Sequence, residues 1–286
     1  MSIRDTLRWA RTEWGIFAQR GQLSAADQLR WLGQWVPFAT RTIAYGTFSV
    51  TVGALTPRQV LSAWAMRRWC RTSLRGLGIR SESAGAAHAP RRGGFMYAAN
   101  HLSLLDILVL GAELPREVRW AAKRSLMRIP ILGWHLRVTG HVPVERDSGK
   151  RGAADSIARF ERVLREDKVL LIFPEGTRSP DGEVQEFKSG GFYAAVRAER
   201  PVVPVALDGT QRLMRKGAAL IEPRPRDGLH RVRVAIGAPI HAPREGRERD
   251  RVVALRDRTR AAVVALLAEL RRGSFPARPP ADPAEG

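Results

Sequence analysis

Short, wholly apolar runs alternate with amphipathic blocks through the middle of this chain of 286 residues. Gly94 to Ala99 is brief and apolar throughout, the pattern of a strand covered on both faces. Ser103-Leu-Leu-Asp106, followed by Ile107-Leu-Val-Leu110, marks the start of a helix. Glu117 to Ala122, Val138 to Val144, Val169 to Phe173 and Pro201 to Leu207 predict further strands, and Arg231 to Ile236 alternates as a late strand at an edge would. Between them, Ala153 to Glu166 sets Ile157, Phe160, Val163 and Leu164 at helical spacing, and Phe187 to Glu199 predicts another helix. Glu248 to Arg272 predicts a long amphipathic helix through Val252, Val253, Val263, Leu266, Leu267 and Leu270. This alternation predicts an α/β domain over residues 94–272, with a mixed, largely parallel central sheet flanked by helices.

Residues 1–80 read differently, as an N-terminal helical segment suited to a membrane interface. Ile3 to Gln19 and Ala25 to Trp35 predict two short helices carrying Trp9, Trp14, Trp31 and Trp35, and tryptophan favours that interface. Thr42 to Pro57 runs for sixteen residues without a charge, fewer than the roughly twenty of a spanning helix. Shallow or re-entrant insertion is expected; the competing reading is a helical hairpin packed on the α/β domain. From Met66 to Leu77, Met66, Trp69, Cys70, Leu74 and Leu77 share one helical face and Arg67, Arg68, Arg71 and Arg75 the other, an interfacial pattern. Leu61 and Trp64 break that stripe. Gly76-Leu-Gly78 ends the helix, residues 81–93 predict a linker, and residues 273–286 predict a disordered Pro/Ala tail.

Composition narrows the function classes. The formal net charge is +20, and residues 1–80 hold twelve arginines against three acids. That balance suits anionic lipid headgroups, where each basic residue near the surface contributes roughly 1 kcal/mol. It equally suits nucleic acid, and with only five lysines in the chain part of the excess is arginine usage. The single Cys70 excludes an internal disulfide and any cysteine-based metal site, and points to a cytoplasm-facing setting. Met1 to Trp14 lacks the apolar core of a cleavable signal. Phosphate loops, dinucleotide fingerprints, zinc-protease helices and the serine-hydrolase elbow are all missing from the sequence. His88, His135, His141, His230 and His241 show no ligand spacing and read as surface or packing residues; no metal is called for.

Candidate chemistry centres on His101 and Asp106, five residues apart at a strand-to-helix corner. A carboxylate on one ring nitrogen leaves the other as an acceptor, the arrangement of a general base. Ser103 and Asp106 also fit a capping box, which would make His101 a plain corner residue. Downstream, Phe173-Pro-Glu-Gly-Thr-Arg-Ser179 follows an apolar strand, where α/β sheets bind ligands. Arg178 there, and Arg146 in Gly140-His-Val-Pro-Val-Glu-Arg146, offer guanidinium forks for a phosphate.

The four blocks Asn100-His101-x4-Asp106, Gly140 to Arg146, Phe173 to Ser179 and Pro201-Val-Val-Pro-Val205, in that order, resemble the glycerophospholipid acyltransferases. Among these the chain looks most like the 1-acylglycerol-3-phosphate acyltransferases, over roughly Gly93 to Gly237. The resemblance implies that His101 takes the proton from the sn-2 hydroxyl of lysophosphatidate as that oxygen attacks an acyl-CoA or acyl carrier protein thioester. Asp106 would orient His101, and no cofactor is implied beyond the thioester co-substrate. Lys123 matches a position near the substrate phosphate, though a solvated strand-end lysine is equally physical. Glu175, with Gly176 and Thr177, would arrange the acceptor site, against a reading of Glu175 as a turn-stabilising salt bridge. The implied setting is peripheral or monotopic, on the cytoplasmic face of the inner membrane, with the lipid surface as partner and no nucleic acid. Two alternatives remain: a different lysolipid acceptor such as a lyso-ornithine lipid, or a non-catalytic basic protein that binds membranes or nucleic acid.

Overall fold

The computed structural model describes residues 24–56, 59–145, 149–215, 217–218, 220–225 and 228–273. The expected helix over Ile3 to Gln19 and the tail from residue 274 lie outside them. Seven strands form one sheet: β1 (Ile79–Ala84), β2 (Phe95–Ala99), β3 (Val118–Lys123), β4 (Val142–Val144), β5 (Val169–Ile172), β6 (Val202–Asp208) and β7 (His230–Ile236). Their order is β1-β7-β6-β2-β5-β3-β4. All neighbours pair in parallel except β6 with β7, so the sheet is mixed and largely parallel, as the alternation of elements predicts.

The period-two alternation of the central strand sorts its side chains into two cores. Phe95, Tyr97 and Ala99 join a cluster with Leu171, Val203, Val205, Cys70, Leu74 and Leu110 on one face. Met96 and Ala98 join Leu170, Phe160, Phe192, Val263 and Leu267 on the other. Helices cover both sides, which explains why β2, β5 and β6 are buried at every position. The first face carries α1 (Ala25–Thr51), α2 (Val60–Gly76) and α3 (Asp106–Glu113), and α4 (Leu132–Val138) lies against α1. The second carries α5 (Gly149–Arg165), α6 (Gly190–Arg197) and α8 (Glu248–Arg271); a single turn, α7 (Thr210–Leu213), follows β6.

Several boundaries differ from the sequence expectation. The segment from Ala25 does not stop at Trp35: it continues as one helix of 27 residues through Pro37 to Thr51. It then turns through Gly53–Leu55 and returns as α2, so the uncharged stretch lies in the first arm and the turn of a helical hairpin packed on the domain. No helix among the described residues is long and apolar enough to cross a membrane. Residues 81–84, expected in a linker, belong to β1, whose polar Ser-Glu-Ser run hides an edge strand. Because β1 takes the edge, β7 lies inside the sheet and not at its margin. Val138 ends helix α4, and only Val142–Val144 forms a strand, because Gly140 turns the chain at a φ of +73°.

Candidate active site

Strands β6, β2, β5 and β3 are consecutive neighbours running in one direction, so their carboxyl ends open on the same edge of the sheet. The chain leaves β6 into Gly209-Thr210, β2 into Asn100-His101, β5 into the Phe173–Ser179 loop, and β3 at Lys123. Residues separated by more than a hundred positions in sequence are thereby gathered at one crevice, the usual ligand position of such sheets.

His101 Nδ1 lies 2.8 Å from Asp106 Oδ2, with His101 7% exposed and Asp106 fully buried. A carboxylate in that position accepts, so Nδ1 carries the proton and Nε2 is the nitrogen left for chemistry. The imidazole stacks on Phe173, with ring centroids 4.0 Å apart and planes inclined by 16°, which fixes its plane from the neighbouring strand. The capping box forms only in half: the Asp106 carboxylate turns back to accept from the Ser103 amide at 2.9 Å, and from the Leu102 amide at 2.6 Å, while Ser103 Oγ accepts from the Leu105 amide at 3.3 Å and not from that of Asp106. The second Asp106 oxygen accepts from Thr210 Oγ1 at 2.5 Å.

The two motif loops are tied together directly. Glu175 Oε1 accepts from the His101 amide at 3.0 Å, and the Ser179 amide donates to the His101 carbonyl at 2.7 Å. Burial pushes the Glu175 carboxyl up to about 7, against the opposing effect of the His101 and Gln185 amides. Its other oxygen, Oε2, is buried without a hydrogen-bond partner. Glu175 therefore braces the His101 loop from behind, through a backbone amide rather than the arginine salt bridge that the sequence also allowed. Gly176 adopts a φ of +74°, and a side chain there would meet Lys188 Nζ at 2.9 Å; its amide donates to the Phe173 carbonyl and closes the turn.

In front of this frame lies a cavity of about 340 Å³. His101, Lys123, Thr177 and Arg178 line it together with Trp35, Phe38, Trp69, Leu104, Leu108 and Phe173. The structure thus brings His101, Lys123, Thr177 and Arg178 to one space. Glu175 and Gly176, expected among the substrate-binding groups, stand outside the lining and shape the loop instead. Arg146 lies outside the described residues.

Sequence reasoning missed three contributors. Asn100 donates to the Leu207 carbonyl and accepts from the Leu207 amide, so its side chain docks the His101 loop onto β6. Thr210 sits on Asp106, and its position directly after a buried strand and a glycine was the available signal. His135 lines the cavity from α4, with Nδ1 2.8 Å from Ser49 Oγ of α1; burial lowers it to about 4, which keeps the ring neutral near pH 7. His141, expected as packing, accepts from the Trp120 amide through Nδ1. Among the described residues, no group of three or more His, Cys, Asp or Glu side chains could hold a metal ion.

Residues 80–208 match the family model described as Acyltransferase. A chloroplastic 1-acyl-sn-glycerol-3-phosphate acyltransferase of Arabidopsis thaliana is 36% identical over 149 residues, covering 51% of this chain and 39% of the plant protein. The 1-acyl-sn-glycerol-3-phosphate acyltransferase of Saccharomyces cerevisiae is 32% identical over 174 residues, 59% of this chain and 57% of the yeast protein. The alpha form from Ovis aries is 33% identical over 195 residues, 68% of this chain and 64% of the sheep protein. The match thus spans between 39% and 64% of the length of these three relatives. The crystal structure of the 1-acyl-sn-glycerophosphate acyltransferase of Thermotoga maritima shares the fold: TM-score 0.72 and 24% identity, over 85% of this chain and 95% of that one.

Proposed function

We propose that this chain, whose residues 80–208 match the family model described as Acyltransferase, transfers an acyl group from a thioester to the sn-2 hydroxyl of lysophosphatidate, giving phosphatidate. One observation carries the reading: His101, engaged by Asp106, lines the same cavity as Arg178 and Lys123, and the remaining wall is largely apolar. A phosphorylated acceptor with a lipid tail, and a donor with an acyl chain, both need that combination of cations and apolar surface.

The chemistry follows from the arrangement. His101 Nε2 accepts the hydroxyl proton as the acceptor oxygen attacks the thioester carbonyl, and Asp106 stabilises the imidazolium that forms. The tetrahedral intermediate collapses by breaking its carbon–sulfur bond, and the imidazolium returns the proton to the departing thiolate. Arg178 and Lys123 hold the phosphate so that the neighbouring hydroxyl meets the base, while the apolar wall receives hydrocarbon. The nucleophile comes from the substrate, so the pair needs no serine.

The N-terminal hairpin supports a membrane-surface setting. Val52, Leu55, Val60 and Trp64 around its turn are between 47% and 86% exposed, more apolar surface than water favours, and the lipid substrates reside in such a surface.

Purified protein should convert lysophosphatidate and an acyl thioester to phosphatidate, read by mass spectrometry with acyl-CoA and acyl carrier protein offered in parallel. Release of free CoA or of free carrier identifies the donor. Arg178→Ala should raise KM for the phosphorylated acceptor about tenfold or more, as loss of a charge-assisted pair implies, with KM for the donor little changed. Absence of product with every lysolipid acceptor, lyso-ornithine lipid included, would overturn the reading.

A further inference from the structure

We propose that Thr210 is a positioning residue of the catalytic pair, acting on His101 through Asp106. The hydrogen bonds of the carboxylate show why one is needed. Oδ2 already accepts three donors, from His101 Nδ1, the Leu102 amide and the Ser103 amide. Oδ1 accepts Thr210 Oγ1. Both Asp106 and Thr210 are fully buried, so water is not at hand to replace the hydroxyl. A carboxylate held at one oxygen alone can rotate about its bond to Cβ; bonding the second oxygen fixes its plane, and with it the direction of the lone pair that meets Nδ1.

The backbone is built to deliver this hydroxyl. β6 ends at Asp208, and Gly209 turns the chain at a φ of +109°. A side chain on Gly209 would lie 2.7 Å from the Arg231 carbonyl oxygen, so only glycine fits. Thr210 then opens α7, and its carbonyl accepts from the Met214 amide. The same corner grips the loop on either side of His101: Asn100 pairs with Leu207, and Ser103 Oγ donates to the Met214 carbonyl. The hydroxyl of Thr210 is the one contact of this corner aimed at the carboxylate itself.

The role rests on the proposed acyl transfer, and the test separates the two. Thr210→Val keeps the side-chain shape and removes the hydroxyl; Thr210→Ser keeps the hydroxyl. With lysophosphatidate and an acyl thioester, Thr210→Val should lower kcat about 10- to 100-fold, the usual effect of losing a partner behind a catalytic group. KM for both substrates should stay within about threefold, and Thr210→Ser should restore most of kcat. Proton NMR adds a readout independent of turnover: the low-field resonance of His101 Nδ1–H, identified by its absence in His101→Ala, should shift or broaden in Thr210→Val and persist in Thr210→Ser. An unchanged resonance in Thr210→Val, or kcat within twofold of the parent, would overturn the role. Equal loss in the Ser and Val variants with a lowered Tm would assign Thr210 to packing alone. An inactive parent whose resonance still depends on the hydroxyl would sink the substrate assignment and leave the positioning role standing.

Discussion

The cavity has two walls, and they are held in place by different physics. On the sheet side, Asp106 meets four donors, the His101 amide and carbonyl are both bonded to the Phe173–Ser179 loop, and Asn100 pairs with β6. On the hairpin side, α1 and α2 present Trp35, Phe38, Tyr45, Met66 and Trp69, and hold together through ring contacts such as Phe38 against Trp69 at 5.7 Å. Directional bonds cross from the hairpin to the domain as well, from Arg30 and Gln34 to the Ile221 carbonyl, Ser49 to His135, Gln59 to the Val138 carbonyl, Arg67 to the Pro115 carbonyl and Arg71 to the Ala112 carbonyl among them, but none of these hairpin residues lines the cavity. Hydrogen bonds fix atoms to fractions of an ångström, as proton transfer demands, whereas apolar packing fixes volume and tolerates repacking. The polar wall is therefore where small changes should abolish chemistry, and the apolar wall where they should alter which chain fits.

His101→Ala makes the hardest test of that division. Turnover should fall by about 10³-fold, within the range for a lost general base, with Tm nearly unchanged; undiminished turnover would remove the polar wall from the mechanism. Glu175 tests the same wall through stability. Its folded carboxyl titrates near 7 instead of the ordinary 4.5, so between those values the unfolded chain releases a proton that the folded chain keeps. Stability contributed by the protonated form is complete below the lower value and is lost as pH rises through about 7, a change on the order of 3 kcal/mol. Glu175→Gln should flatten that slope in denaturant titrations between pH 4.5 and 8, and a slope that persists in the variant would place its origin elsewhere.

On the apolar wall, Ala65 of α2 is 1% exposed and lines the cavity. Ala65→Leu should shift the preference from long to short acyl donors by about tenfold, since one methylene is worth 1 kcal/mol or more in a filled pocket. An equal fall with all donors would mean that this wall, too, serves the chemistry. The smallest expected effect is at the hairpin turn: Leu55→Asp should weaken association with vesicles of anionic lipid about fivefold, roughly 1 kcal/mol, with turnover on detergent-dispersed substrate unchanged.

How far the site was legible depended on how local its signals were. His101 and Asp106 are five residues apart, so one turn of chain brings them together, and Arg178 and Thr177 announce themselves in a strand-end loop. Glu175 was found, but its bond to the His101 amide was not, because the sequence does not reveal which side of that loop its carboxylate takes. Thr210 and Asn100 act across β6, whose neighbour in the sheet, β2, lies more than a hundred residues earlier. The hairpin was half read: helical spacing marked its two arms, but the helix runs through Pro37, and only the fold shows that Ile131 packs on Gly46, 2.5 Å from where a side chain there would begin.

The sequence by itself determined the elements, their alternation and the residues with reactive side chains, because strand and helix periodicities and turn residues are local properties of the chain. Only the tertiary structure decided that β6, β2, β5 and β3 stand side by side with their carboxyl ends together. That order comes from burying two apolar faces of one sheet at once, a condition on the whole chain that no short window contains.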